Sequence, residues 1–518
     1  MLYVIGVDIG TSSTKSVLFD VRGQQVARSA EGYALRSPEP GAAEQDPNDI
    51  LQATIKTVAD VARSSGIDAK DLIGISFSAA MHTLLLMDEV NQPLTPMYTW
   101  ADNRGDRILD QVIAQDTQTG QTLYERTSLP IHPMSPVVKL VWLQQSQPEA
   151  FARATRIVSI KEYVLHHWCA EWVIDLSIAS TTGFLNLASR QWDAGALKIA
   201  GIESRQLSRI VPTMHQLTLT DDMAQQLSVS RDVPVVVGAS DGVLSNLGVG
   251  AIASGQAAIT LGTSGAVRQV VPTPTTHPDA QLFCYALTDD QWVMGGAVNN
   301  GGIALQWTRD SLVPYSVPPD EPCLASSEPS ASTYERLTKM AKTVPVGADG
   351  LIFHPHILGE RSPLWNAQAR GNLFGLGRHH TQAHLVRAVM EGVLYNMAMV
   401  FEALEQTGGQ VKTLSASGGF AQSDLWQQML ADIFDREVVV PTVIESSALG
   451  AAVLALVAVG EWDELSQVQA CVELGRSRRP IAENVKRYQK ILPIYKDLLV
   501  GFSRQYGALQ TAISEDCK

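Results

Sequence analysis

Two carboxylates stand where an apolar strand gives way to small residues. Asp8 interrupts the run "YVIGVDIG", and the chain then enters a turn of Gly10, Thr11, Ser12 and Ser13. Asp241 closes the run "VPVVVGAS" and is followed by Gly242. A carboxylate in an otherwise apolar strand must be paired or must face a solvated cleft. A turn of Gly, Thr and Ser offers backbone N–H groups and hydroxyls with little bulk, which suits a phosphate, and the natural partner of a neighbouring carboxylate is then a hydrated Mg²⁺ bridging polyphosphate oxygens. Asp8 is therefore expected to face a metal, and the Gly10–Ser13 turn to clamp phosphate. Asp241, at a strand end where α/β folds place catalytic groups, can accept the proton of an attacking hydroxyl; it can also N-cap the helix "GVLSNLGV".

The clamp has a counterpart about 250 residues further on. In "GQAAITLGTSGAVRQVV", residues 255–271, Gly262, Thr263 and Ser264 again separate two strands. Neither turn is a Walker A loop, because Gly-x-x-x-x-Gly-Lys-Ser/Thr occurs nowhere in the chain. A third small-residue site is Gly418-Gly419, between the strand "VKTLSAS" and a capped helix; the glycine pair lets backbone approach a flat ring or a phosphate, or simply turns strand into helix. Asn299 and Asn300, in "GGAVNNGG", can cap a helix or touch phosphate. His380 and His384 are spaced for one helix face and His354 and His356 flank Pro355, but no carboxylate completes a zinc-hydrolase pattern. His82, in the loop after a strand, is the better functional candidate.

These residues need elements to hold them. "YVIGVDIG" and "KSVLFDV" are β-branched and apolar, and predict a hairpin. "DPNDILQATIKTVADVARSSG" predicts a helix with Asp46 as N-cap, Pro47 in its first turn, Ile50, Ile55, Val58 and Val61 on the buried face, and Gly66 beyond its end. "LIGISFS" is a strand again, leading into "AAMH". Strands alternating with helices indicate an α/β architecture, and the repeated hairpin indicates two similar domains, residues 1–249 and 250–518, with the boundary near Val249. The polar stretch "VPPDEPCLASSEPSAS" is expected to be a surface excursion.

Size and charge agree with this division. At 518 residues the chain exceeds what one core usually serves, and 45% hydrophobic with 18% charged residues excludes wholesale disorder. A net charge of −14 argues against nucleic acid or an anionic membrane as partner, so any anionic substrate must be held by a few local donors. The five cysteines are scattered and odd in number, which suggests neither a disulfide framework nor a cysteine zinc site and fits a reducing, cytoplasmic setting. The N-terminus opens on a strand rather than a signal peptide. The longest apolar run, "ALGAAVLALVAVG" from Ala448, is too short to cross a bilayer and is expected to be a buried helix.

Asp8 with its Gly-Thr-Ser turn, the second such turn, Ser240-Asp241-Gly242 and the Gly-Gly helix start occur in one order, and in this the chain resembles the FGGY family of carbohydrate kinases over nearly its whole length. "MSPVVKLVWLQQS", Met134 to Ser146, fits one family signature until Ser146, which replaces an amide, acid or His; "GNLFGLGRHHTQAHLVRAVME", Gly371 to Glu391, fits a second throughout. The resemblance implies two ribonuclease-H-like (actin-like ATPase) domains with an interdomain catalytic cleft. The first would bind sugar and supply the base, the second nucleotide. "ISFSAAMHTLLLMD", "TWADNR" and "GASDGVLSNLG" resemble the family's gluconate-phosphorylating branch.

On that resemblance ATP and Mg²⁺ are the expected cofactors, with Asp8 holding the metal through water. Gly10, Thr11, Ser12, Ser13, Gly262, Thr263, Asn299, Gly418, Gly419 and Ser423 would bind nucleotide. A sugar acid would lie among Met81, His82, Trp100, Asp102, Arg104 and Asp241, the last as catalytic base. The substrate carboxylate needs a donor: Arg104, His82 or, third, Lys161, although Arg104 can instead pair with Asp102 or Asp106. No nucleic-acid or membrane partner is expected, and a homodimer is left open. The alternatives are a xylulokinase or other sugar kinase of the family, and an actin- or chaperone-like ATPase without a metabolite acceptor.

Overall fold

The computed structural model describes residues 1–116, 121–313, 331–443 and 445–515, so most of the expected surface excursion lies outside the described residues. The chain forms two compact units. The first is built from 1–254 with 269–294 and 442–473, and the second from 255–268, 295–441 and 474–518. Segments 269–294 and 442–473 thus return to the first unit beyond its break near residue 254. Among the described residues no helix is long and apolar enough to cross a membrane.

In the first unit a six-stranded sheet carries the site. Its order is Gln216–Leu217, Val235–Ser240, Leu72–Ala79, Tyr3–Ile9, Ser13–Asp20 and Gln25–Gly32. Tyr3–Ile9 and Ser13–Asp20 form the expected hairpin, with Asp8 opposite Lys15, while on its other side Asp8 lies opposite Ser78 in a parallel pair. Ser78 is in turn opposite Ala239. One row across the sheet therefore reads Lys15, Asp8, Ser78, Ala239, and Asp241 lies just past its end. Helix Pro47–Ser64 begins as expected: Asp46 accepts the Asn48 N–H, Pro47 fills the first position, and Ile50, Val58 and Val61 are buried with Ile55 half-buried.

Helix Ser446–Ala458, the expected buried helix, belongs to this unit and is fully buried from Ala448 to Leu456. It seats against backbone. A Cβ on Gly6 would stand 1.9 Å from the Ala448 carbonyl oxygen, one on Gly248 1.9 Å from that of Ser446, and one on Gly450 2.2 Å from that of Leu244. Such distances leave no room for a methyl group, so the helix can lie on strand Tyr3–Ile9 and on helix Asp241–Gly248 only because these positions are glycine.

The second unit repeats the strand, turn, strand pattern with Gln256–Leu261 and Gly265–Val271 on either side of Gly262–Ser264. Strand Gln256–Leu261 pairs in parallel with Thr413–Ser417, which pairs in parallel with Glu437–Pro441. Helix Gln382–Gly408 is buried over most of its 27 residues, and the His-rich stretch forms its start: the Thr381 N–H donates to His384 Nδ1 at 3.1 Å.

Gly450→Ala is expected to cost about 1–3 kcal/mol by overpacking, whereas Gly501→Ala, in exposed helix with nothing near its Cβ position, is expected to stabilise by about 0.5–1 kcal/mol. Urea unfolding of both variants checks the pair; equal and small effects would show that the helix can shift away from Leu244.

Candidate active site

The Gly10–Ser13 turn of the first unit is braced by side chains that donate to two of its carbonyls and one hydroxyl. Gly10 N–H donates to the Ser13 carbonyl at 3.1 Å. Tyr33 donates its hydroxyl to the Gly10 carbonyl at 2.5 Å, Gln45 its amide to the Thr11 carbonyl at 2.8 Å, and Trp100 its indole N–H to the Thr11 hydroxyl at 2.9 Å. Among the described residues, the N–H groups of Thr11 and Ser12 take no partner. The turn is thus held from behind, with two backbone donors available to an anion.

Asp8 is half-buried beside this turn and accepts the Ser78 hydroxyl at 2.7 Å. Burial pushes its carboxyl up to about 7; the Ser78 hydrogen bond opposes that rise, the charge of Asp241 adds to it, and Lys15 across the hairpin opposes it. Asp8 and Asp241 therefore feel each other. Asp241 is the first residue of helix Asp241–Gly248, not its cap; Ser240 holds the cap position, and Asp241 accepts the N–H of Gly242 at 2.8 Å. Its own carbonyl accepts the Ser447 hydroxyl at 3.3 Å. Lys15, which sequence reading passed over, makes an ion pair with Glu445 at 2.9 Å. The one-residue register across the hairpin is the signal that could have found it.

Beside these lies the loop with Met81, half-buried, and His82, buried with a φ of 61°. His82 Nδ1 is 2.7 Å from the Thr181 carbonyl, which can only accept, so Nδ1 carries a proton and Nε2 faces the Tyr285 hydroxyl at 3.4 Å. Behind the loop, buried Lys139 donates to the carbonyls of His82, at 3.3 Å, and of Met134. Burial lowers its pKa to about 7.

The other two expected donors are held by carboxylates. Arg104 reaches Asp102 at 2.6 Å, Glu44 at 2.5 Å and Glu39 at 3.0 Å, and its guanidinium lies 4.5 Å from the Trp142 ring centroid. Asp102 is buried and also accepts the Ala43 N–H at 3.0 Å. Arg104 and Asp102 thus form a brace; the pairing is with Asp102, as one sequence reading allowed, and a ligand could take Arg104 only by displacing carboxylates. Lys161 is buried against Asp175 at 2.6 Å and donates to the Ala239 carbonyl at 3.0 Å, which steadies the strand leading to Asp241.

In the second unit a cavity of about 650 Å³ is lined by Gly262, Thr263, Gly419 and Ser423, together with Phe420, Trp426, Tyr334 and Lys339. Four of the expected nucleotide residues therefore meet in one place. Gly418, with φ 101°, packs behind them: a Cβ there would stand 2.4 Å from the Leu261 carbonyl oxygen. Ser423 N-caps helix Asp424–Phe434. Asn299 and Asn300 do not cap; Gly301 precedes helix Gly302–Ser311, and both asparagines turn to residues 358–360. The aromatic wall of Phe420 and Trp426 was missed, although Phe420 directly follows the glycine pair.

The N-terminal domain pattern of the FGGY family of carbohydrate kinases matches residues 3–248, and the C-terminal domain pattern matches 257–459. The chain belongs to the FGGY family of carbohydrate kinases, and is thus a phosphotransferase with an alcohol group as acceptor on that family's two-domain α/β fold. It is 44% identical over 512 residues to a gluconokinase of Bacillus subtilis (strain 168), covering 97% of each chain. It superposes with TM-score 0.90 on a gluconate kinase from Lactobacillus acidophilus, at 34% identity over 98% of this chain and 99% of that one. A ligand-bound xylulose kinase from the same organism matches equally, with TM-score 0.90 and 34% identity over 98% and 100%.

A carboxyl with a raised native pKa gives stability that is full below its unfolded value of 3.8 and is lost as pH rises through about 7. Asp8→Asn is therefore expected to be more stable than the parent above pH 7 in metal-free buffer, the gain shrinking as pH falls toward 4. Urea titrations across pH 4–8 check this; a gain independent of pH would show that Asp8 does not hold its proton.

Proposed function

We propose that the protein is a gluconokinase, transferring the γ-phosphate of ATP to the terminal hydroxyl of gluconate. The observation that carries the choice of sugar is the 44% identity, over 97% of each chain, to a protein named for that activity. The loop "SAAMH" and the stretch "TWADNR" agree with it. The equal likeness to a xylulose kinase structure keeps a ketopentose as the second reading.

In this reading Asp241 accepts the proton of the terminal hydroxyl as that oxygen attacks the γ-phosphorus and the bond to ADP breaks. It opens helix Asp241–Gly248, whose N-terminus is the favourable end for a negative group. The N–H groups of Thr11 and Ser12 receive phosphate oxygens. Trp100, tied to Thr11, forms a wall of the sugar site. Arg104 and Lys161 are held by carboxylates and His82 by Thr181 and Tyr285, so the sugar acid's own carboxylate would take any of these donors only by displacing a partner. Asp8, with one oxygen on Ser78, suits a cation held through water, and Mg²⁺ there would offset charge on the transferring group. The cavity of the second unit supports the nucleotide role given to Gly262, Thr263, Gly419 and Ser423, with Phe420 and Trp426 offering apolar surface to a base.

ADP release with MgATP, measured against gluconate, xylulose, ribulose, glycerol and no sugar, tests the proposal. Gluconate is expected to give at least a tenfold larger signal than any other. A ketopentose preference would keep the kinase and overturn the sugar, and sugar-independent hydrolysis would overturn both. Asp241→Asn is expected to lose about 10²–10⁴ in turnover while still binding nucleotide; a variant with intact turnover would remove Asp241 from the base role.

A further inference from the structure

The second unit buries a carboxylate that no step above uses. Glu360 is 0% exposed, yet it meets five hydrogen-bond donors. One oxygen accepts the backbone N–H of Asn299 at 2.5 Å and that of Arg361 at 2.9 Å. The other accepts the side-chain amides of Asn300 at 3.1 Å and Asn396 at 2.9 Å, with His356 Nδ1 at 3.3 Å. All five partners donate, so both oxygens of the side chain must accept. An amide in its place presents an NH₂ group to the three side-chain donors or, flipped, to the two backbone N–H groups, and donor then faces donor in either orientation.

What Glu360 holds leads directly to the nucleotide turn. Past Asn300 the N–H groups of Gly301 and Ile303 each reach the Thr263 carbonyl at 3.1 Å, and Gly302 N–H reaches the Gly262 carbonyl at 2.7 Å. The two segments also touch sterically. A Cβ on Gly301 would stand 2.7 Å from Ser264, and one on Gly302 2.8 Å from the Gly262 carbonyl oxygen. The loop 299–303 therefore cannot move without moving Gly262 and Thr263, which line the cavity.

We propose that Glu360 is a positioning residue of the nucleotide site, fixing the loop 299–303 and through it the phosphate-facing turn Gly262–Thr263. This rests on the nucleotide reading of that cavity.

The test is calorimetric binding of MgADP to the full chain, with KM for MgATP and for gluconate measured separately. Glu360→Gln is expected to weaken MgADP binding and raise the MgATP KM at least tenfold while the gluconate KM changes less than twofold. Should Glu360→Gln fail to fold, Asn300→Ser cuts the same link from the loop side and is expected to give the same nucleotide-selective loss. Wild-type nucleotide affinity in a folded Glu360→Gln or Asn300→Ser variant would overturn the inference, as would equal losses toward both substrates. Absence of MgADP binding by the wild-type chain would instead overturn the nucleotide reading beneath it.

Discussion

Backbone against backbone, at three glycines, is the contact on which the first unit depends. Helix Ser446–Ala458 reaches strand Tyr3–Ile9 at Gly6 and helix Asp241–Gly248 through Gly248 and Gly450. Gly6 and Asp8 lie two apart on one strand and so share a face of the sheet. The same helix thus seats the strand bearing one carboxylate and the helix opened by the other. Ser447, bonded to the Asp241 carbonyl, and Glu445, paired with Lys15 and Arg28, extend that arrangement from the helix N-terminus to both sides of the site.

The two Gly-Thr-Ser turns are alike in sequence and supported by different means. The turn at Gly10 is held by side chains of Tyr33, Gln45 and Trp100, so its position follows the packing of three separate loops and strands. The turn at Gly262 is held by the backbone of 301–303, with glycines where any side chain would collide. Side-chain bracing moves with the side chains that supply it. Backbone bracing resists deformation, because no rotamer change can relax it.

The hairpins, the helix capped by Asp46 and the buried nature of 448–456 were legible because each is governed by local pattern: β-branched runs around a small-residue turn, an Asp-Pro start, an uninterrupted apolar stretch. The partners of charged groups were not. Arg104 finds Glu39 and Glu44 some sixty residues away, Lys161 finds Asp175, and Asn299 and Asn300 find Glu360, pairings that depend on three-dimensional neighbours and leave no spacing to read. The same limit explains the domain boundary. Apolar periodicity marks 446–458 as buried but does not say against which sheet, and the answer lies in where glycines at 6, 248 and 450 leave space.

That discontinuity bears on synthesis. A ribosome that has released residue 254 has made most of the first unit but must add about 220 residues more before 442–473 is complete. At roughly 5–20 residues per second this leaves some 10 to 40 s in which the sheet's strand Tyr3–Ile9 has an uncovered glycine groove. The nascent chain is therefore obliged to keep an apolar sheet face shielded until residues 446–458 emerge, and a messenger truncated before codon 446 encodes both Asp8 and Asp241 without the helix that seats them.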